Sequence, residues 1–415
     1  MKIVFANPVG AIGGAERVLL TIFSALLKLQ PELQLYLIVG TDGPLVEAAR
    51  KLGVRVQLLT LPKAVSEFGD SALKDKNKVL AFGILLLRLI TILPGLGKYV
   101  WEFHRFLRQL KPDLIHSNGI KTHLLVALAG VRNVPVIWHI HDFYQSRPLI
   151  GKIWKWISAS PNLGIAISQA VAEDATAVLP GLPIKVIYNA VDVNYFSPHF
   201  PAVSSSEVPV RVGLVATFAR WKGQEVFLAA AACILKAHPH LNVRFCIVGG
   251  AIYKTRGSQY SEQELKDKAF DLGIADKVDF VGFQEDIAEI YRWLDIVVHA
   301  STQPEPFGLT IVEAMACGKP VIVSQAGGAA ELFTHNYDAI GVAPGDSTAL
   351  AAAILDLLNH PEKRRVISER ARQTVSERFN DKRFGQEVIA VYHSVLNRKQ
   401  NSCCSLMERK KVGDR

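Results

Sequence analysis

Glu305-Pro-Phe-Gly-Leu-Thr-Ile-Val-Glu313-Ala-Met-Ala-Cys-Gly318 places two carboxylates eight positions apart. The apolar run Asp295-Ile-Val-Val-His299 ahead of it reads as a buried strand. Gly318, followed by Lys319 and Pro320, reads as a helix stop. The spacing therefore predicts a helix that begins near Phe307–Leu309, at the carboxyl end of a parallel strand. Backbone N–H groups without intrahelical partners, together with the positive dipole end, make such a helix start a seat for a phosphate. Two acids beside that seat suit a ligand that is both phosphorylated and rich in hydroxyls, such as a nucleotide-sugar. Glu313, set between Val312 and Ala314, would carry a costly charge if it were buried without a partner.

Working outward, short apolar strands alternate with longer helical stretches. The first half predicts strands at Lys2–Ala6, Gln34–Val39, Arg55–Thr60, Asp113–His116, Pro135–His141, Leu163–Ser168 and Ile184–Tyr188, with a helix over Ala15–Leu29. The second half repeats the grammar at Val210–Ala216, Val243–Val248, Val278–Val281, Asp295–His299 and Pro320–Ser324. This alternation predicts an α/β fold of two doubly wound parallel sheets. Residues 1–195 form the first domain, and the Pro- and Ser-rich 196–209 is the linker. Residues 210–379 form the second domain. A last helix over 380–397 has apolar positions at Phe384, Val388, Val391 and Val395. The basic tail 398–415 is expected to lack regular structure. Ligands of such sheets sit outside the carboxyl ends of the strands, so two facing edges would grip one ligand from both sides.

The 415 residues carry a net charge of +9, with 49% hydrophobic and 20% charged residues. The excess is local. Residues 61–111 hold nine Lys/Arg against four Asp/Glu, and 397–415 hold six against two, leaving the rest neutral. That distribution argues against a nucleic-acid face, which needs a spread basic stripe, and is compatible with an anionic membrane surface. The five cysteines have neither metal-ligand spacing nor an even disulfide framework. With strand-like sequence from Lys2 and no leader pattern, a cytoplasmic protein is expected, possible membrane contact being peripheral on the inner face.

Further candidates lie at strand ends. Gly10-Ala-Ile-Gly13-Gly14-Ala-Glu16 follows the first strand, and its glycines allow close backbone approach to a phosphate or sugar. It does not have the dinucleotide-binding Gly-x-Gly-x-x-Gly spacing, and a tight strand–helix turn explains it equally well. In Trp138-His139-Ile-His141-Asp142 both histidines share a face, and His141 stands nearer the strand end. His116 is read as a support of the sheet edge. Arg220-Trp-Lys222-Gly223 offers two cations for a diphosphate, or else a solvated loop. Gly249-Gly250 makes room for a nucleotide, and Gly282-Phe283 closes a strand where a base could lie.

These residues together resemble family 4 of the retaining glycosyltransferases, with the GT-B architecture of two Rossmann-like domains facing across a cleft. The resemblance rests on Glu305 to Pro320, with support from Asn189-Ala-Val-Asp192-Val-Asn-Tyr-Phe196, Trp221-Lys-Gly223 and Val278-Asp-Phe-Val-Gly282. It implies a nucleotide-sugar donor, an unspecified acceptor, retention at the anomeric carbon and no metal or other cofactor; no Asp-x-Asp triplet is present. It implies that Glu313 binds the ribose, that Glu305 and His141 lie at the donor sugar, and that Phe307, Gly308, Leu309 and Thr310 contact sugar and phosphate. Arg220 and Lys222 would hold the diphosphate. Where the family commonly has Gly-Arg, this chain has Ala216-Thr217, so Arg220 would have to replace the missing cation. A sugar phosphorylase, a nucleotide-sugar epimerase and a non-catalytic sugar-nucleotide-binding subunit are the alternatives on the same fold. The donor sugar, its base and the acceptor stay open.

Val79 to Leu93 is the most hydrophobic run, interrupted by Arg88 and followed by Pro94. A helix of fifteen residues rises about 22 Å, short of the roughly 30 Å hydrocarbon core. It is expected to stop at Pro94 and to be a core helix, or to lie among lipid headgroups beside Lys74, Lys76, Lys78 and Lys98.

Overall fold

Ile3, Val4 and Phe5 are all fully buried, so β1 (Lys2–Asn7) is covered on both faces, as a strand inside a parallel sheet requires. The structure, a computed structural model, describes residues 1–62, 78–131, 134–146, 161–198, 208–251 and 257–413, with backbone alone for 78–92 and 399–413. The chain divides into two units, Met1–Tyr188 with Asp381–Arg415, and Asn189–Asn380.

The first unit carries β1, β2 (Gln34–Val39), β3 (Arg55–Leu58), β4 (Leu114–Asn118), β5 (Val136–Ile140), β6 (Leu163–Ala166) and β7 (Ile184–Val186). They form one sheet in the order β3-β2-β1-β4-β5-β6-β7, parallel throughout. The second unit carries β8 (Val210–Val215), β9 (Val243–Val248), β10 (Val278–Gly282), β11 (Ile296–His299), β12 (Val321–Ser324) and β13 (Ile340–Val342). Their order is β10-β9-β8-β11-β12-β13, again parallel. Both sheets are doubly wound, the Rossmann-like arrangement expected. In each the strand order reverses once, between β1 and β4 and between β8 and β11. Strand-end loops diverge at such a reversal and leave room for a ligand.

Each anticipated strand is present, with ends shifted by no more than two residues. β13 was not anticipated: Ile-Gly-Val is too short to show a period, and among the described residues it is an edge strand paired with β12. The helix Asp381–Gly413 buries Phe384, Val388, Val391 and Val395. A Cβ on Gly385 would sit 2.9 Å from Ala25 Cβ and 2.8 Å from Leu29 Cδ1, so glycine there lets this helix approach the helix Gly14–Leu29.

Three expectations are corrected. The tail 398–415 is helical to Gly413 rather than irregular; no proline follows Asp381, and each added residue gains a backbone hydrogen bond once the helix exists. The run 79–93 does not stop at Pro94: one helix spans Lys78–Leu110. The missing proline N–H is offset downstream, where Tyr99, Phe103 and Leu107 recur at i+4 and are buried. The unit boundary falls after Tyr188 rather than 195. Residues 189–195 are held to the second unit, where Val191 N donates to Phe379 O, Arg372 to the carbonyls of Val193 and Phe196, and Arg292 to that of Ser197. Whether 79–92 forms core lies outside the described side chains.

Candidate functional site

At the β8/β11 reversal, four side chains meet. Lys222 Nζ lies 2.9 Å from Glu305 Oε1 and 2.7 Å from Oε2. Ser301 Oγ donates to Glu305 Oε2 at 2.9 Å, and His299 Nε2 lies 3.2 Å from the same oxygen. Glu305 is 8% exposed. Burial alone would push its carboxyl up, but the Lys222 charge and the His299 contact outweigh it and hold the group well below the usual carboxylate range.

The backbone explains why these residues meet. Gly223 has φ +80°, and a Cβ there would stand 1.8 Å from Ala300 O. Thr302 N donates to Trp221 O at 2.8 Å, so the loops after β8 and β11 are laced together. The loop after β12 adds a third strap, in which Glu305 N donates to Ala326 O (3.3 Å) and Gly328 N to Glu305 O (2.8 Å). The helix then starts at Leu309 and ends at Ala316. Gly318 N bonds Met315 O (3.0 Å) and Lys319 N bonds Ala314 O (3.1 Å), with Gly318 at φ +66°. This is the Schellman stop that Gly318 signalled.

Phe307 and Gly308 are buried at the head of that helix, and Leu309 and Thr310 are half-buried. Glu313, 5% exposed, accepts a hydrogen bond from the Tyr291 hydroxyl at 2.9 Å. Gly250 and Phe283 lie at the ends of β9 and β10, with Phe283 Cβ 3.7 Å from the Cβ position of Gly250. Phe283 is 61% exposed. Arg220 does not join the cluster. Its guanidinium donates to Glu264 (2.9 Å) and Gly257 O (3.1 Å) and lies over the Tyr260 ring.

The first unit builds a separate polar group at its β1/β4 reversal. Asn7 Nδ2 donates to Val9 O (2.7 Å) and Glu16 Oε1 (3.2 Å), and Asn118 Nδ2 donates to Asn7 Oδ1 (2.8 Å). His141 Nε2 lies 2.7 Å from Asn118 Oδ1. Gly13 N donates to Glu16 Oε2 at 3.0 Å, and Gly14 begins the first helix, exposed. Beneath His141, His139 Nδ1 meets His116 Nε2 at 3.2 Å, and the Tyr392 hydroxyl meets His116 Nδ1 at 2.8 Å. His123 Nδ1 meets Ser117 Oγ at 2.7 Å. Burial pushes His116 and His141 down to about 3, with His141 adding to the effect on His116, and pushes His123 and His139 well below the ordinary histidine value.

The family model described as Glycosyltransferase Family 4 matches residues 12–195, and that described as Glycosyl transferases group 1 matches 200–374. N-acetyl-alpha-D-glucosaminyl L-malate synthase of Bacillus anthracis is 35% identical over 304 residues, covering 70% of this chain and 76% of the relative. The chain is a family 4 glycosyltransferase of the GT-B fold. An uncharacterized glycosyltransferase of Methanocaldococcus jannaschii is 27% identical over 305 residues, 68% of this chain and 75% of that one. Among solved structures, Anabaena HepE in complex with UDP and glucose is 27% identical, with TM-score 0.75 over 95% of this chain and 100% of that one. A further HepE structure is a complex with UDP-glucose, at TM-score 0.74.

In this glycosyltransferase the sequence reading missed His299, Ser301 and the Gly327-Gly328 strap. His299 ends an apolar strand and reads as a core position, and a lone serine carries no pattern. Gly327 was legible in principle: in Ala326-Gly-Gly-Ala-Ala330 it follows β12, where a strand-end glycine signals close approach. A Cβ there would stand 2.7 Å from Glu305 O, at φ +63°. Asn7, Glu16 and Asn118 were also missed as a group, being up to 111 positions apart.

Proposed function

We propose that this enzyme transfers a sugar from a uridine-diphosphate sugar to a hydroxyl acceptor, with retention at the anomeric carbon and without a metal ion. The Lys222–Glu305–Ser301–His299 cluster, set beside a helix start at the β8/β11 reversal, carries the reading. Lys222 and the first N–H groups of the helix Leu309–Ala316 hold the diphosphate, and Phe307 and Gly308 shape the turn beneath it. Glu305 accepts hydrogen bonds from sugar hydroxyls, and Glu313 takes the ribose. Gly250 and Phe283 offer a flat edge to the base. The uridine and the hexose are argued from the relatives bound to UDP and UDP-glucose.

The electrostatics favour one chemical course. Glu305 is ionised and wrapped by three donors, so it is a poor proton acceptor near neutral pH. The departing diphosphate oxygen is then the better base. The anomeric C–O bond to phosphate breaks, the acceptor oxygen bonds the same carbon from the same face, and its proton passes to the diphosphate. Lys222 and the helix dipole stabilise the charge that develops on the leaving group.

Water can stand in for the acceptor. Incubated with UDP-glucose and EDTA, the purified chain should release UDP and α-glucose first, as followed by proton NMR. β-Glucose as the first product would overturn retention, and loss of turnover in EDTA would overturn metal independence. No UDP release at any concentration would overturn the donor assignment.

We further propose peripheral contact with an anionic membrane. No helix among the described residues is long and apolar enough to cross one. Leu93, Gly97, Trp101 and Arg105 are exposed at successive i+4 positions, with Leu93 and Trp101 more than half exposed. Such an apolar and basic stripe suits the headgroup region. Flotation with phosphatidylserine vesicles at low salt should carry the protein upward, and its absence would end this reading.

A further inference from the structure

We propose that Glu16, Asn7 and Asn118 form a positioning relay that fixes His141 as the Nε2–H tautomer, so that its bare Nδ1 accepts a hydrogen bond from a substrate hydroxyl. An ionised carboxylate and a backbone carbonyl only accept. Asn7 faces one of each, Glu16 Oε1 and Val9 O, with the same end of its amide. That end must be the NH₂, which turns Asn7 Oδ1 toward Asn118. Asn118 must then answer with its own NH₂, and its Oδ1 is left to face His141 Nε2 at 2.7 Å. Two carbonyl-type oxygens in series thus oblige Nε2 to carry the proton. Amide orientation is ordinarily ambiguous; here the Val9 carbonyl, which can only accept, removes the ambiguity, and Glu16 Oε1 adds a second acceptor on the same side.

The centre of the relay is buried. Asn7 and Asn118 are each 1% exposed. They end β1 and β4, the two strands at the reversal, so the sheet register sets their separation. Glu16 is itself held by Gly13 N, which ties the glycine loop to the same carboxylate. His141 is half-buried and, among the described residues, makes no other hydrogen bond. Burial keeps its ring neutral, with the ordinary histidine value pushed down to about 3. A neutral ring protonated at Nε2 is an acceptor at Nδ1. At the carboxyl edge of this sheet, that atom selects ligands presenting a hydroxyl and disfavours those presenting a carboxylate or carbonyl oxygen.

The inference rests on this protein being a glycosyltransferase, but its test needs no donor. The full chain, ¹⁵N-labelled at histidine, is examined at pH 8 by two-bond ¹⁵N–¹H correlation, with His141→Gln used only to assign the signal. The wild type should show a single neutral tautomer at His141, Nε2 protonated and Nδ1 bare. Asn118→Ala, which removes the oxygen facing Nε2, should populate both tautomers, whereas Asn118→Asp, which keeps an acceptor there, should retain the Nε2–H form. Asn7→Ala, which frees the Asn118 amide to turn, should also show both forms and keeps the test open should Asn118→Ala not fold. A wild-type ring protonated at Nδ1, or a folded Asn118→Ala or Asn7→Ala protein with an unchanged tautomer, overturns the relay. Failure of UDP-glucose turnover would instead strike the donor assignment and leave this result standing.

Discussion

Lys222 Nζ bridges both carboxylate oxygens of Glu305, at 2.9 and 2.7 Å, with the two side chains only 18% and 11% exposed. A pair this secluded cannot lose one member cheaply, because the remaining charge stays out of water. Lys222→Ala is expected to lower UDP-glucose turnover by about 100-fold or more, the range for removing a donor aimed at developing charge. It should also destabilise the second unit by up to about 3 kcal/mol, read from urea unfolding. Arg220→Ala should do neither. Its side chain is 45% exposed and paired with the 47% exposed Glu264, a solvated surface contact that adds little stability. Equal losses in the two variants would mean that Arg220 leaves Glu264 on ligand binding to supply the cation absent at Thr217.

Removing the other partner has the opposite effect on binding. Glu305 already neutralises the Lys222 charge, so an arriving diphosphate competes with a carboxylate for the same ammonium. Glu305→Gln keeps the acceptor's shape and ends the competition. UDP affinity by calorimetry should hold or tighten while turnover falls, a split between binding and catalysis that a merely unfolded variant could not produce. Weaker UDP binding in a folded Glu305→Gln protein would show that the carboxylate supports the diphosphate site instead of contesting it.

Gly223 is where the cluster depends on backbone alone. Its φ of +80° disfavours any side chain, and a Cβ would stand 1.8 Å from a carbonyl oxygen that belongs to the strand-end loop carrying Ser301. That oxygen cannot swing aside as a flexible side chain could. Gly223→Ala should lower the thermal midpoint by several degrees, from strain of roughly 1–3 kcal/mol, and should part Lys222 from Glu305. Gly345→Ala is the control, since φ is +79° there but nothing stands within 4 Å of the added carbon. If both variants melt alike, the loop contact is immaterial.

How far the sequence speaks can be seen at single residues. The Asp295–Gly318 stretch announced its own strand, turn, helix and Schellman stop, because each depends on neighbours a few positions away. Lys222 was legible as a cation at a strand end, yet its partner Glu305 lies 83 positions on. The fate of Arg220 depended on Glu264, 44 positions away in a helix whose face no local pattern reveals. His299 was silent because a histidine closing an apolar strand looks like core, and burial at 7% exposure does not contradict that. What made it part of the site was Glu305 returning from the next loop. Long-range partners come from strand order, which periodicity does not encode. The helical tail to Gly413 erred in the other direction, since charge was read as disorder where backbone propensity decided.

The buried histidines of the first unit give it a pH dependence of definite sign. Unfolded, His116, His123, His139 and His141 should titrate near 6.5. Folded, burial holds His116 and His141 at about 3 and the other two well below the ordinary value. Between those limits the unfolded chain binds more protons, so stability is complete above about pH 6.5 and falls as the pH drops toward 3. Glu305 acts in the same direction but lower, below about pH 4.5, where the unfolded carboxyl takes up its proton first. Each neutral histidine contributes about 1 kcal/mol per pH unit, so the first unit should lose most of its stability before pH 5. Urea unfolding from pH 8 to 5, followed by tryptophan fluorescence, should show a midpoint that is flat above 7 and drops steeply below 6. His139→Gln, which keeps a polar side chain at the centre of the cluster, should flatten that drop by about one proton. A midpoint that does not move between pH 7 and 5 would mean that these rings take up protons in the folded protein as readily as in the unfolded chain.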